Sequence, residues 1–111
     1  MVKKYIPNQG DIVFLDFTPT LGHEQKGNRP AIVISNNTFN KNTKMVIVCP
    51  INSNTKYFPT HYLLQDTNKV SGSVLCKHIR NIDYGVRNLK YVEKSSSNDF
   101  NNIITLLNAC I

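Results

Sequence analysis

The sequence predicts a small, mainly β fold in which short strands form a barrel-like sheet and one helix follows at the C-terminus. Several short apolar segments alternate at close spacing with loops rich in Gly, Pro and Asn, as in small barrels. The last 15 residues instead repeat their apolar positions at helical spacing. With 111 residues, 41% of them hydrophobic, and no linker or repeat, we expect one domain over residues 1–111 with a modest core.

The first half of the chain predicts two strands around a polar loop. GDIVFLDF, residues 10–17, has the apolar content of a strand. Residues 18–29 contain a proline and two glycines and are predicted to form a loop. AIVIS, residues 31–35, has no polar residue before Ser35, so we expect a central strand.

The middle of the chain predicts further strands. Residues 36–44 are rich in Asn and Lys and are predicted to form a turn or a short helical turn, and MVIVCPI, residues 45–51, is the next strand. Pro50 cannot donate a backbone hydrogen bond, so the ladder should weaken there. Residues 52–59 form a second polar loop. The other predicted strands are residues 60–64, 72–80 and 89–94.

The C-terminal segment predicts an amphipathic helix over residues 97–110. Its apolar positions recur at helical spacing, and Ser96 followed by Asp99 fits a capping box. The apolar positions are Phe100, Ile103, Ile104, Leu107, Cys110 and Ile111.

Charge and cysteine content narrow the functional classes. Lys and Arg number 13 against 7 Asp and Glu, a net charge of +6, which favours a polyanionic partner, nucleic acid first. The three cysteines, Cys49, Cys76 and Cys110, contain no CxxC pair. We expect all three to be reduced core residues of a cytoplasmic protein. No ligand spacing predicts a metal or other cofactor, and no segment reads as a signal peptide or membrane span.

The two polar loops are expected to meet at one edge of the sheet. If residues 31–35 and 45–51 pair as antiparallel neighbours, the start of the first strand lies beside the end of the second. Arg29 then lies near Asn52 and Ser53. A guanidinium with small polar groups around it suits a phosphate.

The order of these segments resembles the MazF/PemK (Kid) family of toxin endoribonucleases. The resemblance rests on GDIVFLDF, PTLGHEQKGNRPAIVIS, the strand ending VCPI, FPTH and GSVLCKHIRNID. It implies an SH3-like barrel, a homodimer, and metal-independent, sequence-selective cleavage of single-stranded RNA. It also implies a cognate MazE-type antitoxin whose disordered tail blocks the RNA groove, and operator DNA binding by the toxin–antitoxin complex.

The resemblance also implies roles for individual residues. Arg29 becomes the central catalytic residue, which stabilises charge on the phosphoryl oxygens. Glu24 is either a base or a group that orients Arg29. His23 is interpreted as a group that positions the phosphate or the 2′-OH.

Two positions depart from the family pattern. Many members carry a catalytic Thr where this chain has Asn52, so either Asn52 donates an amide hydrogen bond, or Ser53 supplies the hydroxyl, or activity is weakened. Lys77 stands where relatives often have Asp, Glu or Asn, a position that reads RNA, so the cleavage sequence cannot be transferred.

The remaining RNA-binding candidates are polar or aromatic residues of the same segments. Each has an ordinary alternative, such as a solvated charge or a turn residue, and Phe58 is either core or a stacking platform. They are Gln25, Asn52, Lys56, Phe58, Pro59, Thr60, Lys77, His78 and Arg80. Two alternative functions are a gyrase-poisoning toxin of the CcdB type and a non-catalytic RNA-binding barrel.

Overall fold

The computed structural model of this chain describes residues 5–17 and 27–111. Within these ranges the fold is mainly β, with a helix at the C-terminus, as predicted. A short 3-10 helix occupies Cys76–His78. The strands and α-helices are β1 (Asp11–Asp16), β2 (Asn28–Val33), α1 (Asn37–Thr43), β3 (Met45–Asn52), β4 (His61–Leu63), β5 (Ser73–Leu75), β6 (Arg80–Asp83), β7 (Lys90–Lys94) and α2 (Ser97–Cys110).

The strands pair antiparallel in the order β4-β5-β3-β2-β1-β7, and β6 pairs with β3 beside β5. The position of β2 between β1 and β3 confirms the prediction from its apolar run. Ala31, Ile32 and Val33 are each fully buried, because core residues cover both faces of this strand. The segment thus lacks the polar alternation of a half-exposed strand.

Alternate residues of the central strands project from opposite faces of the sheet and pack in two separate cores. One face packs against α2, and we call this cluster the helix-side core; the other face carries the inner core. The helix-side core contains Ile12, Ile32, Cys49, Ile51, Leu64, Val74, Cys76, Ile103 and Leu107. The inner core contains Val13, Leu15, Phe17, Ala31, Val33, Val46, Val48 and Ile82.

Helix α2 forms where its apolar spacing predicts. The Ser96 side chain accepts a hydrogen bond from the backbone N–H of Asp99 at 3.0 Å, so the N-cap is confirmed. The expected capping box is only half present, because the buried Asp99 carboxylate accepts from Tyr62 and from the backbone of residues 65 and 66. Asp99 therefore ties α2 to the loop after β4.

The predicted turn at residues 36–44 is the short helix α1. The Asn36 side chain caps it by accepting from the backbone N–H of Phe39 at 2.8 Å. Lys44 ends it with a φ of 60°, and that left-handed conformation returns the chain into β3.

The prediction of one strand over residues 72–80 is wrong. The chain forms β5, turns through the 3-10 helix and continues as β6. Strand β3 changes partner at the matching place: its ladder with β6 ends at Val48, and its ladder with β5 begins at Ile51. Pro50 lies between the two ladders, where its missing N–H does the least damage.

The cysteines are free thiols, and one of the three departs from expectation. Cys49 and Cys76 are buried in the helix-side core, whereas Cys110 is exposed at the end of α2. The helical spacing of Cys110 predicts a core position, but residues 108–111 at the end of α2 are all exposed. Within residues 5–17 and 27–111, no helix is long and apolar enough to cross a membrane.

Candidate functional site

Arg29 lies within strand β2 rather than in the loop where the sequence placed it. It pairs with Leu15 of β1, and Leu15 belongs to the inner core. Cross-strand partners project from the same face of an antiparallel sheet, so the partly buried Arg29 side chain leaves the sheet on the inner-core face.

The pairing of β2 with β3 points towards Asn52 as the neighbour of Arg29. The ladder ends with Ala31 opposite Pro50, and the same register extended by two residues predicts Arg29 opposite Asn52. Asn52 follows Val48 and Pro50 at strand spacing, so it projects from the same face as Val48 of the inner core. This is the neighbourhood that the order of the strands predicted.

Arg80 adds a second cation to the same face. It opposes Val48 in the pairing of β3 with β6, and its guanidinium carbon lies 5.4 Å from the centroid of the Phe17 ring. One guanidinium nitrogen, Nη1, is buried and has no hydrogen-bond partner among the described residues. A buried N–H without an acceptor is costly, so an oxygen ligand at this position would be stabilising.

A cleft of about 190 Å³ continues from this face, and most of the residues that line it were predicted. Five predicted residues meet here, although they come from two separate segments of the chain. The predicted lining residues are Asn52, Lys56, Phe58, Lys77 and His78. Three more were missed, Asn54, His61 and Leu75.

Local hydrogen bonds shape one wall of the cleft. The Asn52 side chain accepts from the backbone N–H of Asn54 at 2.9 Å, and the Asn54 side chain accepts from that of Lys56 at 2.9 Å. These two consecutive Asx turns explain why the segment is rich in asparagine. The segment then leads to Phe58, which is 47% exposed.

The 3-10 turn after β5 forms the opposite wall. It presents Lys77 and His78, and the Lys77 ammonium lies 4.7 Å from the centroid of the Phe58 ring. Both residues were predicted as RNA contacts, whereas the turn that brings them to the cleft was not, because no glycine or proline marks it.

Gly72 holds the start of β5 against the end of β3. Its φ of +132° is a conformation that other residues rarely adopt, and a Cβ there would lie 2.1 Å from the Asn52 carbonyl oxygen. Only glycine allows the backbone to approach Asn52 and Ser53 so closely. The corresponding sequence signal is a glycine immediately before a strand.

His61 is a second residue that the sequence analysis missed. It pairs with Leu75 at the start of β4, and its ring lies 5.2 Å from that of Phe58 at an interplanar angle of 33°. Burial, followed by the charges of Lys77 and His78, lowers the pKa of His61, so the imidazole is neutral at pH 7. Its Nε2 atom is buried and lacks a hydrogen-bond partner within the described structure.

The other predicted site residues do not line the cleft. Ser53 and Pro59 are exposed next to the cleft, and the Thr60 hydroxyl is buried with no partner in the described part of the chain. The three predicted residues His23, Glu24 and Gln25 lie outside the described residues.

The described residues contain no group of three or more His, Cys, Asp or Glu side chains placed to hold a metal ion.

A larger hollow, of about 560 Å³, is lined by residues 5, 6, 44, 83–85, 88 and 89 and contains none of the predicted residues. The smaller cleft is therefore the better candidate, since aromatic, cationic and amide groups line it, Asn52 among them.

Residues 8–111 match the family described as PemK-like, MazF-like toxin of type II toxin-antitoxin system. The chain is 34% identical over 87 residues to the endoribonuclease toxin MazF of Escherichia coli K12, covering 78% of each chain. It is 36% identical over 100 residues to the endoribonuclease toxin ChpB of the same strain, covering 83% of each.

Solved structures agree with this match. A crystal structure of MazF from Deinococcus radiodurans superimposes with a TM-score of 0.91 at 34% identity, covering 96% of this chain and 97% of the other. A MazE–MazF crystal structure from the same organism gives a TM-score of 0.83 at 29% identity and covers 96% of both chains.

Proposed function

We propose the location and mechanism of an RNA-cleaving site, from the premise that this chain belongs to the PemK-like, MazF-like family of type II toxin–antitoxin toxins. The protein is a toxin endoribonuclease, like the homologues that carry that name. The proposed site consists of Arg29, Asn52 and Ser53 with the adjoining cleft. The remaining cations of the site, Lys56, Lys77 and Arg80, bind the RNA backbone or bases.

One observation carries this location. Arg29, Asn52 and Arg80 come from three different strands, yet their strand positions direct all three side chains to the inner-core face, and Asn52 also lines the cleft. Two guanidinium groups at the end of a sheet form a strong site for a phosphodiester. The net charge of +6 attracts the polyanion over a longer range.

In the proposed mechanism the 2′-OH attacks the neighbouring phosphorus. The 2′-oxygen–phosphorus bond forms, the bond from phosphorus to the 5′-oxygen breaks, and a 2′,3′-cyclic phosphate and a 5′-hydroxyl result. Arg29 stabilises the negative charge that gathers on the phosphoryl oxygens. Ser53 or Asn52 adds one hydrogen bond to the same phosphate, and the fixed cations supply this stabilisation without a metal ion.

Two proton transfers complete the reaction. A base takes the proton from the 2′-OH, and an acid gives one to the departing 5′-oxygen. Glu24 and His23 are our candidates for these roles, with Gln25 at the RNA contact; Glu24 alternatively orients Arg29. The pH dependence of the cleavage rate tests Glu24. If Glu24→Gln protein keeps both the acidic and the alkaline fall in rate of the wild type, Glu24 is not the base.

We also propose that the toxin acts in the cytoplasm as a homodimer with two RNA grooves. An acidic, initially disordered antitoxin segment folds onto the basic groove. MazE–MazF complexes are known among similar structures, and we extend the proposal to operator DNA binding by the complex. Light scattering that shows a monomer, or antitoxin affinity that is independent of salt, would contradict these assignments.

The proposed activity is tested by incubating the protein with a mixed RNA pool in excess EDTA. We expect cleavage of single-stranded RNA, with duplex RNA and DNA left intact, and no cleavage by Arg29→Ala protein prepared in parallel. Loss of all cutting on chelation would refute metal independence. Binding without cutting would favour a non-catalytic barrel, and gyrase poisoning without cutting would favour a CcdB-type toxin.

A further inference from the structure

We propose that Phe58, His61 and Lys77 form a nucleobase subsite that selects a keto base, guanine or uracil, over adenine or cytosine. The inference rests on the proposed ribonuclease site and adds a specificity that the family match does not contain. It depends on a stacking surface, a donor-only cation and a neutral imidazole that line one cleft.

The stacking surface is the ring of Phe58. Phe58 is 47% exposed, and it follows two turns whose side-chain hydrogen bonds are local, so its ring can adjust to a ligand. The Lys77 ammonium lies 4.7 Å from the ring centroid. Stacking of a base on an aromatic ring is stronger than an exposed cation–π contact. A base therefore displaces the Lys77 ammonium from the face of the Phe58 ring, and the ammonium moves to the edge of the base.

Lys77 then reads that edge. An ammonium has three donors and no acceptor, so it pairs with O6 of guanine or O4 of uracil. Adenine and cytosine present an amino donor at the same place, which would leave two donors facing each other. The side chain at position 77 therefore favours carbonyl-bearing bases.

His61 supplies the second half of the pattern. Guanine and uracil carry an N–H beside the carbonyl, whereas adenine and cytosine carry a bare nitrogen beside the amino group. The Nε2 atom of His61 is buried without a partner among the described residues, and it gains one by accepting this N–H once the Phe58 ring, which lies 5.2 Å from the imidazole, shifts to stack on the base. Nδ1 carries the proton in the tautomer that this contact requires.

The position of His61 is fixed by the backbone. Its N–H donates to the Phe58 carbonyl oxygen at 3.0 Å, and the residue pairs with Leu75 across β4 and β5. The Cys76 N–H donates to the Thr60 carbonyl oxygen at 3.1 Å, which ties the segment before β4 to the turn that carries Lys77. The two readers therefore keep a defined separation.

The test uses two cleavage-resistant oligonucleotides, 2′-O-methyl U8 and 2′-O-methyl C8, which differ only at the edge in question. We expect wild-type protein to bind U8 about tenfold more tightly than C8, as one bidentate base contact provides. Lys77→Glu should reverse the preference, because a carboxylate accepts from the cytosine amino group. Equal affinity of the wild type for both oligomers would overturn the inference.

Two further variants separate base reading from charge. Lys56→Glu removes a cation from the same cleft and should weaken U8 and C8 by a similar factor. If Lys77→Glu does the same, Lys77 contacts phosphate and the inference is wrong. His61→Phe keeps an aromatic ring and should reduce the U8 preference; an unchanged preference would remove His61 from the subsite.

Cleavage distinguishes a failure of the subsite from a failure of the enzyme. With an RNA pool randomised around the cut, we expect guanine and uracil at one position for the wild type and adenine and cytosine there for Lys77→Glu. Cleavage with no such change would refute the subsite alone. Absence of cleavage by the wild type would refute the proposed function, while the U8 and C8 comparison still decides the subsite.

Discussion

Residues 53–60 and residues 64–70 both connect short parts of the same sheet, but they are held in different ways. We call the first the cleft loop and the second the anchored loop. Two buried carboxylates hold the anchored loop from outside. Asp99 accepts from the N–H groups of residues 65 and 66, and Glu93 accepts from those of residues 68, 69 and 70.

In the cleft loop, by contrast, backbone N–H groups donate to side chains only two residues earlier in the chain. Asn52 and Asn54 accept from Asn54 and Lys56, and every residue from Ser53 to Pro59 is exposed. The comparison shows that buried carboxylates hold the anchored loop, which supports the fold. The loop beside the proposed site is left adaptable, as binding segments often are.

The largest expected effect is that of Arg29→Ala on cleavage. Removing one preorganised group at such a site typically lowers the rate by about a hundredfold or more. The thermal midpoint should change little, since Arg29 is only partly buried. Single-turnover cleavage and a thermal melt measure both quantities. Arg29→Lys, which keeps the charge but loses the planar fork, serves as control and should retain part of the activity.

Replacing Asp99 should have the opposite profile. Asp99→Asn puts an amide where the carboxylate now accepts from Tyr62 and two backbone N–H groups. We expect a loss of about 2–3 kcal/mol in the free energy of unfolding, measured by urea titration. The protein that remains folded should cleave RNA at nearly the wild-type rate. A large fall in rate with unchanged stability would erase the distinction between the loops.

Glu93→Gln should destabilise less, and the effect should depend on pH. Burial by itself would raise the pKa of Glu93, but three backbone N–H groups hold it below its ordinary value of 4.5. The stabilisation is therefore complete above pH 4.5 and is lost as the pH falls through the lowered pKa. We expect a deficit of about 1–2 kcal/mol at pH 7 that shrinks at pH 3. A deficit that is equal at both values would contradict this explanation.

The smallest effects are expected where the site departs from the family. Ser53→Ala should slow cleavage less than Arg29→Ala does, since Ser53 offers one neutral hydroxyl and no charge to the proposed phosphate. Asn52→Thr should preserve or raise the rate, although the Asx turn that Asn52 makes with Asn54 is lost. If Asn52→Thr is the more damaging of the two, the amide of Asn52 is the group that contacts substrate.

Much of the fold follows from local sequence. The unbroken apolar run of β2 identified a central strand, and Ser96 marked the beginning of α2. The turn at Cys76–His78 was missed because no Gly, Pro or Asn marks it, and the chain turns there where β3 changes partner between Val48 and Ile51.

The site was less accessible to sequence analysis. Arg29 and Asn52 could be brought together from strand order alone, and their catalytic roles remain predictions. His61 was missed because it belongs to the cleft only through the pairing of β4 with β5. Gly72 was missed because its need for glycine comes from the backbone of Asn52, 20 residues earlier in the chain. Both are consequences of tertiary contacts.

The central claim is that the RNA supplies its own nucleophile to a phosphate held by Arg29. The most direct test compares single-turnover cleavage of a short RNA with that of a matched substrate carrying a 2′-deoxy sugar just 5′ to the scissile phosphate. We predict that the deoxy substrate binds but resists cleavage, and that normal products end in a 2′,3′-cyclic phosphate. Cleavage of the deoxy substrate at the normal rate would show that water is the nucleophile and would contradict the mechanism.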